Sequence, residues 1–360
     1  MRQTPTVKVL VRIMVCLLLF GPAALSTHAA FSALYAFGDG VSSTTDNIDG
    51  GSSYYPYTYS NGRIWIQVLA QRQGVTYDSS KNVSYFDHTS ADVVTDLGGF
   101  SATDANTSLF VVWVNDADFA DYMLYTYPTY GLDPTKWNST VSSSLANHQT
   151  IIQSLYAKGA RTLILPNAVD LTEIPQYNGM SASQKKFIRQ GIVAFNGSFA
   201  ALLNQARASL PGVKIYGPDM FALLDNLAAH PADHGFINAT RYAGQDGYTA
   251  LNGPGADYLF WDPWDPTAKA HEIMADTVQQ MVSPVRISDL RWLNGSNRLD
   301  LANAPIGLIG FVEGRTNIVS GSWASATNFI STSAAQSVFV RASGPRQTYR
   351  LRFPFAWSWP

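Results

Sequence analysis

The residues able to do chemistry are carboxylates, a few hydroxyls and a few imidazoles. Asp39 follows the alternating apolar run Tyr35-Ala36-Phe37-Gly38 and precedes Gly40, Val41, Ser42 and Ser43. Asp87 lies in Ser84-Tyr85-Phe86-Asp87-His88, and Asp262 and Asp265 stand together in Asp262-Pro263-Trp264-Asp265-Pro266-Thr267, with His271 just downstream. Such carboxylates can hydrogen-bond sugar hydroxyls, collect a hard cation such as calcium, or, as a close pair, share a proton and act as general acid and base. They can equally hold turns: Asp265 followed by proline reads as a helix N-cap with proline at the first helical position. Nucleophilic catalysis needs a hydroxyl that loses its proton to an imidazole. Ser42 or Ser43 with His271 is the pair that could supply it. His148 reads as a half-exposed helix residue, and His230 and His234 share a loop with no further ligand in view, so no metal site is assigned.

The elements that must position these residues alternate short apolar strands with longer amphipathic segments, which implies a parallel sheet with helices on both faces. Strands are predicted over residues 33–37, 83–86, 109–114, 161–165 and 213–216. Helices are predicted over 64–71, 142–158, from Ser181 or Ser183 to 209, from Asp219 to 227, and from Asp265 to 281. The apolar run 33–37 ends at the polar turn that begins with Asp39, at the sheet edge where ligands sit in such folds. Beyond residue 283 the composition changes to short strands between Gly, Asn and Ser turns, over 286–293, 298–302, 306–312, 337–342 and 349–353. These residues form a small β domain of sandwich type, with the stretch 321–333 read as a loop or irregular edge.

Phe37-Gly38-Asp39-Gly40 resembles the Phe-Gly-Asp-Ser nucleophile block of the SGNH/GDSL esterase and lipase family. Tyr59-Ser60-Asn61-Gly62-Arg63-Ile64-Trp65 is similar to a Ser-Asn-Gly-Arg-x-Trp element that follows it there. Trp113-Val114-Asn115-Asp116-Ala117-Asp118-Phe119 resembles a third block, Trp-x-Gly-x-Asn-Asp-Phe, and Tyr258 to Thr267 with His271 resembles the last, Asp-x-x-His-Pro-Thr with a second histidine downstream. The resemblance covers residues 31–282. It implies an α/β fold, the flavodoxin-like three-layer α/β/α sandwich of SGNH hydrolases, followed by the small C-terminal all-β domain. It also implies descent from ester hydrolases that use a serine, a histidine, and an oxyanion hole of serine and glycine N–H groups with an asparagine. Carried over residue by residue, the serine position is Gly40 and the histidine position is Asp265, while the orienting aspartate is present as Asp262. The oxyanion-hole glycine falls at Asp87 and the asparagine at Ala117, with Asn115 offering an amide in a shifted register. Tyr55 and Tyr57, in the loop beside this crevice, and Asp39 are the candidate ligand-binding residues.

Three functional readings stay open: an exported protein of lipase/acylhydrolase lineage with impaired catalysis; a non-catalytic binder of a glycan or acyl ligand; and a hydrolase rebuilt on Ser42 or Ser43 with His271. Of 360 residues, 46% are hydrophobic and 14% charged, with a formal net charge of −2. That composition builds a real core and offers no basic patch for nucleic acid. Residues 1–30 carry a basic start, an apolar run and small residues at a cleavage position, and read as a signal peptide. The mature chain would be secreted or lie in the periplasm or cell envelope. Cys16, the sole cysteine, falls within that segment, which leaves no disulfide or thiolate site. No cofactor and no membrane span is implied. The tail around Trp357 and Trp359 is a candidate for envelope association.

Overall fold

The computed structural model describes residues 31–47, 51–316, 322–341 and 347–354. The expected signal peptide over 1–30 and the tryptophans of the tail lie outside the described residues.

Five strands build the central sheet: β1 (Leu34–Gly38), β2 (Asn82–Ser84), β3 (Leu109–Trp113), β4 (Thr162–Ile164) and β5 (Lys214–Tyr216). Every residue of β1 and β3 is buried, because strands covered on both faces must be apolar throughout. All neighbours pair in parallel in the order β2-β1-β3-β4-β5. In this order the winding direction reverses between β1 and β3, and a crevice opens beyond their carboxyl ends.

Among the described residues eight α-helices accompany the sheet: α1 (Trp65–Gln73), α2 (Ser90–Gly99), α3 (Asn115–Asp121), α4 (Tyr127–Tyr130), α5 (Pro134–Ala157), α6 (Ala182–Ser209), α7 (Met220–Ala229) and α8 (Ala268–Val282). Helix α1 packs on α8, while α2 and α6 both pack on α5. Short strands β6 (Asn238–Tyr242) and β7 (Tyr258–Phe260) form a separate parallel pair. Local chemistry explains most boundaries. Ser181 and Gln184 form a reciprocal capping box at the start of α6, and Asp219 accepts the Ala222 N–H at the start of α7. Helix α1 ends at Gly74, whose φ of 71° is left-handed.

The C-terminal part contains β8 (Arg286–Leu293), β9 (Ser296–Ala302), β10 (Ile309–Arg315), β11 (Ala324–Ile330), β12 (Gln336–Arg341) and β13 (Thr348–Arg352). They form two antiparallel sheets, β12-β9-β8 and β11-β10-β13, which share a core of Leu299, Leu301, Val312, Val338 and Val340. The sheets meet the α/β part at the loop before β10, where the Ile306 N–H donates to the Arg72 carbonyl at 3.3 Å.

Four expectations need correction. Residues 324–330, expected to be irregular, form strand β11 because β10 offers a free edge to pair with. Asp265 does not cap the last helix. Thr267 does, its Oγ accepting the Ala270 N–H, so the helix begins at Ala268. His148 is fully buried on α5, not half-exposed: its ring packs edge-on against Phe199. Helix α5 starts at Pro134, capped by Asp133, eight residues before the expected start.

Candidate active site

The crevice beyond β1 and β3 leads into a cavity of about 150 Å³. Its lining includes Asp39, Gly40, Asp87, Asp116, Ala117 and Asp265 beside the apolar Leu171, Ile174, Met220, Leu223, Leu227, Leu259 and Met274. Helix α7 supplies Met220, Leu223, Leu224 and Leu227, one stripe at helical spacing. The lining includes no Ser, Thr, Cys, Tyr, His, Lys or Arg. Its titratable groups are four carboxylates.

Gly40 opens a short 3₁₀ turn after β1, which Asp39 caps by accepting the Val41 N–H at 3.2 Å. A Cβ built on Gly40 would lie 3.2 Å from Cδ2 of Phe86, 3.6 Å from Cδ2 of Tyr59 and 3.8 Å from Oδ1 of Asp265. Gly40 therefore faces two aromatic rings and a carboxylate. The two rings are 5.2 Å apart. Asp46 fixes their side of the crevice by accepting the Phe86 N–H at 2.6 Å.

Asp262 spends its carboxylate on structure. Oδ1 accepts the N–H groups of Trp264 and Asp265 at 2.9 and 2.7 Å, and Oδ2 accepts the Tyr54 hydroxyl at 2.9 Å. Those bonds fold the 262–265 loop and aim Asp265 inward. The side chain of Asp265 is 5% exposed and lines the cavity with no hydrogen bond to its carboxylate among those described. Burial, then the charges of Asp262, Asp39 and Asp46, push its carboxyl well above the usual carboxylate range. Burial also pushes Asp39 up to about 7, against the lowering amide bonds from Val41 and its own N–H. Asp116 shifts upward through burial and the neighbouring Asp39, although its Oδ1 accepts the Val169 N–H at 2.7 Å.

The other candidates divide. Asp87 lines the cavity and takes φ +64°. That is the left-handed conformation natural to glycine, the residue the family resemblance puts there. Ala117 lines the cavity. Asn115 does not; its amide turns away and donates to the Pro166 carbonyl at 2.8 Å, so the shifted-register oxyanion donor is not brought to the crevice. His271 is buried on α8, away from the cavity lining, and desolvation lowers its pKa to about 3. Ser42 accepts the Trp65 indole N–H at 3.1 Å, and Ser43 donates to Asp46; neither lines the cavity. His88 pairs with Asp96 at 3.4 Å. Tyr55 and Tyr57 are exposed and do not line the cavity. The loop tyrosines nearest the site are Tyr54 and Tyr59 instead.

Sequence reasoning misses two groups. Asp116 sits inside the third block, where nothing in the motif attaches a role to it. The α7 stripe reads from sequence only as helix; its four apolar residues at positions i, i+3, i+4 and i+7 are the available signal. Among the described residues no group of three or more His, Cys, Asp or Glu is arranged to hold a metal ion, so the calcium reading of the carboxylates finds no such group there. Among them, too, no helix is long and apolar enough to cross a membrane.

The chain has relatives among known proteins. The model of the GDSL-like lipase/acylhydrolase family matches residues 34–278. One GDSL esterase/lipase of Arabidopsis thaliana is 22% identical, over 70% of this chain and 89% of its own. A second from the same plant is 25% identical, over 73% and 93%. Among solved structures, a lipase from a goat rumen metagenome matches with a TM-score of 0.45 at 11% identity, covering 70% of this chain and 97% of that one. The family match runs from the first residue of β1 almost to the end of α8, and so takes in every strand and loop that builds the crevice: the chain belongs to the GDSL-like lipase/acylhydrolase family.

Proposed function

We propose that this chain is a family member that has given up triad hydrolysis and uses the inherited crevice to bind a ligand with an apolar tail. One observation carries the reading. The position of the nucleophile is a glycine that faces Asp265, Phe86 and Tyr59, in a cavity whose lining contains neither hydroxyl nor imidazole. Attack on an ester needs a hydroxyl whose proton passes to a base. A carboxylate in the base position and no hydroxyl in reach leave that step without its parts. In a serine protease, loss of the serine or histidine alone costs on the order of a million-fold in turnover. The largely apolar lining of the cavity favours an acyl or alkyl chain over a sugar. Its size, about 150 Å³, is comparable to apolar cavities that admit a benzene ring, roughly 150 Å³. Export through a signal peptide, with the C-terminal sheets as an appended domain from residue 284, completes the proposal. The basic and apolar pattern of residues 1–30 supports export.

The test is hydrolysis of a short-chain p-nitrophenyl ester by the purified protein. Wild type and Gly40→Ser should stay at background, and Gly40→Ser/Asp265→His should rise clearly above both. Wild-type turnover that disappears in Ser42→Ala or His271→Ala would overturn the proposal in favour of a rebuilt site. Binding is read by calorimetry with octan-1-ol. Leu224→Trp, which projects bulk from α7 into the cavity, is expected to remove the signal.

A further inference from the structure

The small net charge of the whole chain conceals two unlike parts. Residues 31–283 carry 13 Lys and Arg against 23 Asp and Glu, whereas residues 284–360 carry eight arginines, no lysine and three acids. Contrary to the expectation from whole-chain composition, a basic patch exists, on the outward face of the sheet β11-β10-β13. Val312 of β10 is fully buried in the core between the two sheets. Ile309, Phe311, Glu313 and Arg315 alternate with that inner row and so lie on the outward face. Their partners in register share it: Ile330 opposite Ile309, Arg352 opposite Phe311 and Arg350 opposite Glu313.

Three guanidiniums on this face share one carboxylate. Glu313 accepts the Nε–H groups of Arg350 and Arg352 at 2.7 and 2.9 Å. Arg315 pairs with no carboxylate among the described residues, and its Nε is buried without a hydrogen-bond partner there. Arg315 and Arg350 lie against the Trp323 ring at 4.4 and 4.6 Å, and Arg352 against Phe311 at 4.3 Å. Rings and carboxylate hold the three planar forks in place, so little side-chain freedom remains to be lost on binding. Next to them Ile309 and Ile330 form a cross-strand apolar pair, 50% and 63% exposed.

We infer that this face docks the chain on an anionic phospholipid surface, the arginines meeting headgroup phosphates and the isoleucine pair entering the acyl boundary. Positive charge alone would suit any polyanion. Two exposed isoleucines beside it select a lipid surface, where burial of apolar side chains and attraction to anionic headgroups add. None of these residues lines the crevice cavity, and the inference does not depend on what that cavity binds.

The experiment is flotation of the protein with vesicles of phosphatidylcholine, alone or mixed with phosphatidylglycerol, at low ionic strength. The chain from residue 31 is used; it keeps every described element and omits the apolar run of residues 1–30, itself attracted to lipid. Binding should require phosphatidylglycerol and weaken as salt is raised. Arg315→Gln breaks no ion pair among the described residues and should weaken binding about fivefold, and Arg350→Gln/Arg352→Gln about 25-fold, the equivalent of about 1 kcal/mol per charge. Ile309→Thr/Ile330→Thr keeps every charge and the preference for strand, and should weaken binding severalfold. Melting curves report whether each variant is folded. Equal binding to both kinds of vesicle, or arginine variants that bind as wild type does, overturns the inference. An Ile309→Thr/Ile330→Thr protein that binds vesicles unchanged, and binds polygalacturonate as well, overturns it in favour of a polyanion site. Release by inorganic phosphate beyond that caused by chloride of equal ionic strength overturns it in favour of a free-phosphate site. A dimer in sedimentation that the arginine substitutions dissolve, with no vesicle binding, overturns it in favour of a second copy of the chain.

Discussion

Burial changes the chemistry of Asp39 and Asp265, whose carboxyls it pushes upward. Each carboxyl is raised in the folded chain above its unfolded value. The stability it contributes is therefore fully present below the ordinary aspartate pKa and is lost as pH rises through the folded pKa. For Asp39, raised to about 7, the window runs from about pH 4 to pH 7, and the loss is on the order of 4 kcal/mol. Carboxylates lowered in the fold, such as Asp104 and Asp300, act in the opposite direction. The informative measurement is thus the difference between wild type and Asp39→Asn in urea unfolding. The variant keeps the cap on Val41, and its stability relative to wild type should rise between pH 4 and pH 7. A difference that stays flat would show that Asp39 is not held protonated. At this scale the sequence identifies Gly40, Asp39 and Asp265 as neighbours because short motifs carry position. It does not show that Asp262 uses both carboxylate oxygens on Trp264, Asp265 and Tyr54. Hydrogen bonding within a loop depends on where the next loop lies, and Tyr54 is far away in the chain.

Elements with strong local signals are legible. Strands β1 and β3 announce themselves by continuous apolar runs, and α6 by its capping box. Helices α2 and α3 do not, since α2 ends in Gly98-Gly99 and α3 begins within a polar run. Tertiary contacts rescue them. Asp118 of α3 accepts the Ser90 N–H at the start of α2 at 2.8 Å, satisfying a donor the helix leaves open. Strand β11 is hidden for a similar reason: Ala-Ser-Ala-Thr-Asn has little strand preference until β10 pairs with it. The start of α8 turns on Thr267, which is fully buried, donates to the Tyr258 carbonyl at 2.8 Å and caps Ala270. Thr267→Val keeps the shape and removes both bonds. It should cost about 1–2 kcal/mol in urea unfolding and loosen the 262–265 loop that α8 follows.

Across the whole molecule, Arg72 joins three parts. It is 3% exposed, its Nε donates to Asp276 of α8 at 2.8 Å, and its Nη1 donates to the Ile306 carbonyl before β10 at 3.3 Å. The contact is tight: a Cβ on Gly74 would come within 2.8 Å of Cδ1 of Ile306. Arg72→Ala strands the Asp276 carboxylate in the interior and should cost roughly 3–5 kcal/mol. Arg72→Met/Asp276→Leu, which removes both charges, should recover much of that loss in the same unfolding measurement. Nothing in the sequence pairs Arg72 with residues so far along the chain. Composition reveals that a second unit exists, but the surface on which it rests is a long-range property.

Gly40 also has a history written into it. A serine restored there meets a carboxylate instead of an imidazole, and its Cβ presses on Phe86 at 3.2 Å. A histidine restored at position 265 finds no hydroxyl to deprotonate. On the proposed reading, neither single reversal restores a hydroxyl and a base together. Gly40, Asp87, Ala117 and Asp265 all depart from the family pattern, so on the proposed reading a return to ester cleavage would need several positions to change together, and no single step along that path is rewarded.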